Sequence, residues 1–270
     1  MLLTRKISFS AAHACRNPVW TDEVNVRMYG SCALGTGHGH DYLCELAVAG
    51  RIDPQTGIVV NLVDIKQRLK RVVGPLDSSH LNVDDPAFRD KMPTTERLAV
   101  EIWNRLLPAM NDCELFSLRL HETRTRRVEY RGDPNMVDVT RRVEFNSAHR
   151  LHSRFLSDEE NARIFGKCNN PMGHGHNYEL EVTVRGAIDE RTGMVIGIGE
   201  LDEVIQREIV ERYDHKNLNL DLEEFQTVNP TSEEFARVIW SRLASCFTRP
   251  ALYRVRLVET GNNSFEYYGE

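Results

Sequence analysis

The feature that most constrains this chain is that it is written twice. Laid on itself with a shift of 136 residues, which becomes 137 after the first helix of each half, Ile7-Ser8-Phe9-Ser10-Ala11-Ala12-His13 falls over Val143-Glu144-Phe145-Asn146-Ser147-Ala148-His149. The same shift carries Cys32 to Tyr42 (CALGTGHGHDY) over Cys168 to Tyr178 (CNNPMGHGHNY). Pro93-Thr94-Thr95-Glu96 meets Pro230-Thr231-Ser232-Glu233, and the strand ending Leu120-His121-Glu122-Thr123 meets the one ending Leu257-Val258-Glu259-Thr260. The seam is the turn-forming Gly132-Asp133-Pro134-Asn135, which sets the expected modules at 1–133 and 136–270.

Each copy reads as strand, strand, helix, helix, strand, strand. Tyr178, Leu180, Val182 and Val184 alternate with Glu179, Glu181, Thr183 and Arg185, the period of a strand with one buried face. Residues 62–73 and 200–210 have helical composition, and Leu98, Ile102, Leu106 and Phe235, Ile239, Leu243 recur every four residues. Thr231 to Glu234 reads as a capping box. Strands are expected over 115–123 with 127–131 and over 252–260 with 264–268. The pattern predicts an α+β module, an antiparallel sheet with two helices on one face.

Chemistry concentrates in the repeated motifs. In His38-Gly39-His40 and His174-Gly175-His176 the imidazoles stand two residues apart, so on a strand they leave from one face and can grip one ion. His13 and His149, in phase with Phe9 and Phe145, are the candidates for the third ligand. Three imidazoles with no fourth protein ligand form the pattern of a catalytic zinc site with a position left for water or substrate. Cys32 and Cys168 each precede the first of the paired histidines by six residues. Each is read as a catalytic thiol in an exposed loop, with a buried structural cysteine or a fourth zinc ligand as alternatives. Asp214-His215 follows the first helix of the second copy and suits proton transfer; the first copy has Asp77-Ser78, with His80 nearby, and is expected to be impaired. Glu122 and Glu259 close the apolar faces of their strands, after Phe116, Leu118, Leu120 and after Tyr253, Val255, Leu257. They either pair with an Arg or backbone amide or recognise adjacent ring N–H groups of a pterin or purine.

With 34 Lys+Arg against 40 Asp+Glu, net charge −6, the chain has no overall basic field, and a nucleic-acid partner is not expected. A local Arg cluster for a small phosphorylated ligand is compatible with that balance. Six cysteines, no export signal and no membrane-length apolar run lead to the expectation of a soluble cytoplasmic protein with reduced thiols.

The motifs FSAAH and FNSAH, CNNPMGHGHNY, YDHKNLN, PTSEE and VETGNN resemble the 6-pyruvoyl-tetrahydropterin synthase family, and the likeness covers nearly the whole chain as two family units. The resemblance implies two tandem tunnelling-fold modules, one Zn²⁺ per module, and 7,8-dihydroneopterin triphosphate as substrate. It also implies a homo-oligomer, three two-module chains standing for a hexamer. Carried over, His149, His174 and His176 bind zinc, Cys168 shuttles protons with Asp214 and His215, and Glu259 anchors the pterin, with Thr231 also a substrate contact. In the first copy His13, His38, His40, Cys32, Asp77, Glu122 and Thr94 match, and Ser78 departs. A second branch, 6-carboxytetrahydropterin synthase of the queuosine pathway, typically has three residues between thiol and first zinc histidine; five stand here in both copies, as in the pyruvoyl branch. A zinc-dependent pterin- or purine-binding protein without turnover is the alternative of another class.

Overall fold

The computed structural model describes residues 1–269; residue 270, the last of the expected second module, lies outside them. The chain divides into two compact units, one of Met1–Thr140 with Arg185–Leu201, the other of Arg141–Val184 with the chain from Asp202 onward. The first unit therefore takes in a stretch of the second copy.

In the first unit β1 (Leu2–His13) and β2 (His38–Ala49) are antiparallel along their whole length, with Phe9 opposite Tyr42 and His13 opposite His38. The Phe9 and Tyr42 rings stack at 5.1 Å. α1 (Asp22–Tyr29) lies between these strands in sequence, and α2 (Leu62–Val73) follows them. The two-residue β3 (Ser79–His80) runs parallel to the end of β1, and the single turn α3 (Leu81–Asp84) leads to α4 (Thr95–Leu106). β4 (Glu114–His121) pairs with the free side of β2, and β5 (Arg126–Tyr130) pairs with β4. Ile65, Leu69 and Val73 on α2 and Leu98, Ile102 and Leu106 on α4 are all at most 2% exposed, so the i, i+4 stripe seen in the sequence is the face laid on the sheet.

The second copy repeats the plan with β6 (Val137–His149), α5 (Asp158–Phe165), β7 (His174–Gly186), α6 (Ile198–Ile205), α7 (Glu211–Tyr213), β8 (Lys216–Asn217), α8 (Leu218–Asp221), α9 (Ser232–Ala244), β9 (Ala251–Thr260) and β10 (Asn263–Tyr267). The order β10-β9-β7-β6 has β8 attached to β6. The helix expected over 200–210 starts at Ile198 and runs through a π turn, Gln206–Val210, before α7.

Three local readings change. The sequence plan has no helix between the first two strands of a copy, yet α1 and α5 stand there. They carry no apolar stripe to betray them: Val24 and Val26 are exposed, and each helix is tied down by a buried asparagine. Asn25 Nδ2 donates to the carbonyls of Asn17, Trp20 and Thr21, and Asn161 Nδ2 to those of Ser153, Leu156 and Ser157. Phe116 is 44% exposed, not in the buried face with Leu118, because a bulge opposite Ala47 and Val48 flips the strand's phase and turns Leu115 inward. At α9 only half of the capping box forms. Thr231 Oγ1 accepts from Glu234 N, but the Glu234 carboxylate accepts from Arg237 Nε at 2.8 Å.

Candidate metal centres

In each copy the pairing of the first two strands brings three imidazoles together. His13 Nε2 lies 3.2 Å from His38 Nε2, which lies 2.9 Å from His40 Nε2; His149 Nε2 lies 3.2 Å from His174 Nε2. On the far side of the ring, His13 Nδ1 is 2.9 Å from Pro93 O and His149 Nδ1 is 2.8 Å from Pro230 O. A carbonyl can only accept, so each Nδ1 carries the proton and each Nε2 presents its lone pair to the cluster. Burial, opposed by the Pro93 hydrogen bond, pushes His13 down to about 3, and burial with the neighbouring His38 pushes His40 down to about 4. His149 and His176 are lowered by burial too. These rings are neutral near pH 7. Two nitrogens held about 2.0–2.1 Å from one tetrahedral zinc stand roughly 3.4 Å apart, so the donor set and its spacing fit that ion.

The approach of the His38 and His174 segments to the ends of β1 and β6 is what glycine permits. A Cβ on Gly173, at φ 75°, would meet His149 O at 2.8 Å, and one on Gly37 would meet His13 O at 3.3 Å.

The thiols part company. Cys32 joins the first cluster: one donor atom from each of His13, Cys32, His38 and His40 lies within 4.8 Å of the others, whereas among the described residues the second cluster holds His149, His174 and His176 alone. Cys32 is 6% exposed, not in an open loop as its motif suggests, while Cys168 is half-buried. The cause is Thr192–Ile198. Met194 and Ile198 pack with Trp20, Met28 and Met92 around Cys15, Tyr29, Cys32 and Ala33, and Tyr29 Oη donates to Thr192 O. A Cβ on Gly199 would lie 2.7 Å from Arg27 O, which shows how closely this segment meets the end of α1. The matching segment of the first copy is open, with Ile58 47% exposed where Met194 is 4%.

The two carboxylates also differ. Glu259 Oε1 accepts from Ser232 Oγ at 2.7 Å, Oε2 lies 3.4 Å from Asn263 Nδ2, and Oε1 lies 3.8 Å from His176 Nε2. Against the upward push of burial, the Ser232 hydrogen bond and then Asn263 hold it below the usual carboxylate range. Glu122 is buried, 3.5 Å from His40 Nε2, and forms an ion pair with Arg126, which also reaches Cys32 Sγ at 3.5 Å. Arg126 went unremarked in the sequence, although the overlay sets it against Asn263.

Asp214 Oδ1 accepts from Asn146 N at 2.8 Å, Oδ2 stands 2.9 Å from His215 Nδ1, and the Asn146 contact followed by His215 keeps the carboxyl low. His215 shares a cleft of about 490 Å³ with His176, and Cys168 does not line it. In the first copy Asp77 accepts from Ser10 N at 2.8 Å in the same way, and Ser78 adopts φ 59° where His215 has 57°, so the scaffold is kept and only the imidazole is gone. His80 lines the corresponding cleft with His40. Thr94 is buried and spent on structure, capping α4 and donating to Gly193 O at 2.5 Å. Thr231 caps α9 and lines a cleft of about 640 Å³ with Arg150, Arg154 and Arg237.

Two segments, residues 2–133 and 138–270, match the family model for 6-pyruvoyl tetrahydropterin synthase. The chain is 48% identical over 134 residues to the human 6-pyruvoyl tetrahydrobiopterin synthase, covering 50% of this chain and 92% of that one. It is 51% identical over 132 residues to the Drosophila melanogaster protein of the same name, covering 48% and 79%. The solved Caenorhabditis elegans 6-pyruvoyl tetrahydropterin synthase is 43% identical, with a TM-score of 0.48 over 50% of this chain and 96% of that one. The chain belongs to the 6-pyruvoyl tetrahydropterin synthase family and carries the family's domain twice.

Proposed function

We propose that the chain is a zinc-dependent lyase that converts 7,8-dihydroneopterin triphosphate to 6-pyruvoyl-tetrahydropterin with loss of triphosphate, and that the second module, 136–270, holds the working set of groups. The observation that carries this reading is the second centre: three imidazole nitrogens converge with no fourth donor in the cluster among the described residues, beside a carboxylate held by the neutral Ser232 and Asn263. Zinc bound by His149, His174 and His176 supplies a Lewis acid for the substrate's side-chain hydroxyls. Glu259 accepts two adjacent ring N–H groups and so fixes where the side chain lies. Cys168 and His215 move the protons, one taken from the side-chain carbon as triphosphate leaves, with Asp214 holding the imidazole by its Nδ1. Arg150, Arg154 and Arg237 offer guanidinium groups to the triphosphate in the larger cleft, with Thr231 at its edge.

Cys168 lies outside the cleft that holds His215, which supports a shuttle completed across a module or subunit boundary. Ile58, Leu62 and Val63 are 46–58% exposed, an apolar strip that supports a homo-oligomer in which residues 56–63 of one copy cover the thiol loop of another, as Thr192–Ile198 does for Cys32. Three chains then supply six modules. The free thiols suit a reducing, cytoplasmic setting, and among the described residues no helix is long and apolar enough to cross a membrane.

Incubating the zinc-loaded protein with dihydroneopterin triphosphate, following triphosphate release and identifying the product by mass spectrometry tests the proposal. Absence of release with zinc bound rejects it. A 6-carboxytetrahydropterin product would move the chain to the other branch, against which the five residues between Cys168 and His174 argue.

A further inference from the structure

The first centre is not a weakened copy of the second, because its changes all run in one direction. Cys32 contributes a fourth donor within 4.8 Å of the imidazole nitrogens. A metal held by three protein ligands keeps a position for water or substrate, and a fourth protein ligand removes it. Trp20, Met28, Met92 and Ile198 then wall the thiol from solvent. The carboxylate that would receive a pterin is already engaged: the side chain of Glu122 is 1% exposed and paired to Arg126, where Asn263 stands in the second copy. The same guanidinium donates toward Cys32 Sγ at 3.5 Å, so one arginine faces both the carboxylate and the sulfur of the site. A buried carboxylate without such a partner would be costly, and the guanidinium stands against the oxygen that would otherwise meet a ring N–H.

We propose that the first module carries a closed metal site of four protein donors, His13, His38, His40 and Cys32, with its pterin-anchoring carboxylate taken up by the chain's own Arg126. The site is structural. It ties β1 and β2 to the Cys32 loop on which Thr192–Ile198 packs, and it admits neither substrate hydroxyl nor pterin ring. This inference rests on the metal-binding reading above, and cobalt substitution separates the two. Chelator-stripped protein reloaded with Co²⁺ takes up two ions per chain and shows one thiolate-to-cobalt charge-transfer band in the near ultraviolet. Cys32→Ser removes the band, and Cys168→Ser leaves it. A band that survives Cys32→Ser, or that disappears in Cys168→Ser, overturns the four-donor site while leaving the metal reading intact. No cobalt uptake at either centre overturns the metal reading together with this one.

The anchor is tested without turnover. Dihydroneopterin titrated against zinc-loaded protein, followed by its fluorescence, binds at one site per chain, and Arg126→Asn raises this to two. Two sites in the parent, or still one in Arg126→Asn, overturns the assignment of Arg126.

Discussion

The two copies keep the same three histidines and the same local backbone, and differ in what surrounds them. His13 and His149 make the same carbonyl contact, and Asp77 and Asp214 accept the same backbone N–H. Yet Cys32 is enclosed and Cys168 half-open, Glu122 is paired to a cation and Glu259 to a hydroxyl and an amide. Ligand geometry comes from strand register, which a duplicate inherits whole. Reactivity comes from the neighbours of that geometry, which a few substitutions can change.

The contrast is sharpest in turnover. Cys168→Ala is expected to lower kcat by roughly 10²–10⁴-fold, the usual worth of a positioned proton-transfer group, with a smaller fall for Cys32→Ala. Equal losses in a steady-state assay would make the copies equivalent. His215→Ala should cost about 10²-fold, with zinc content unchanged by elemental analysis, since the imidazole is 77% exposed and outside the ligand cluster. In urea unfolding, Met194→Ala should cost about 2–5 kcal/mol by leaving a cavity over Cys32 and Tyr29. Its counterpart Ile58→Ala should stay within about 0.5 kcal/mol in the dissociated chain, because that side chain is exposed. Comparable costs would mean that the first copy's segment is equally buried.

Capping gives a finer comparison. Thr231→Ala should cost about 1 kcal/mol, and Thr94→Ala somewhat more, because Thr94 also donates to Gly193 O. The weakest test is pH. His13 and His40 titrate near 3 and 4 in the folded chain, below the usual 6.5, so the unfolded chain takes up protons first. The metal-free protein should hold its Tm above about pH 6.5 and lose it progressively as pH falls toward 4. A flat Tm over that range would show that these imidazoles are not buried without metal.

Much of this was legible because periodicity records burial. The parity of Phe9 and His13, the two-residue spacing of His174 and His176 and the four-residue stripe of α4 and α9 all follow from which face meets the core. What stayed hidden depends on partners distant in sequence. Nothing near Cys32 says that Met194 will cover it. Phe116 reads as core until a bulge in its own strand, opposite Ala47 and Val48, reverses the phase. α1 and α5 are pinned by a single asparagine amide, which leaves no period to find. Arg126 was visible in the overlay, but only the ion pair with Glu122 gives the substitution a meaning.

The segment Arg185–Leu201 belongs by sequence to the second copy and by packing to the first unit. A chain cut at the seam after residue 133 would therefore leave Tyr29 and Cys32 bare, and adding the missing half in trans would turn an intramolecular closure into a bimolecular encounter. The covalent joint acts as a fixed local concentration of cover, at millimolar effective levels for short tethers, so the first site is shut at any dilution. Its twin, in the assembly proposed above, is covered only by another copy, so its state would follow how much of the protein is present.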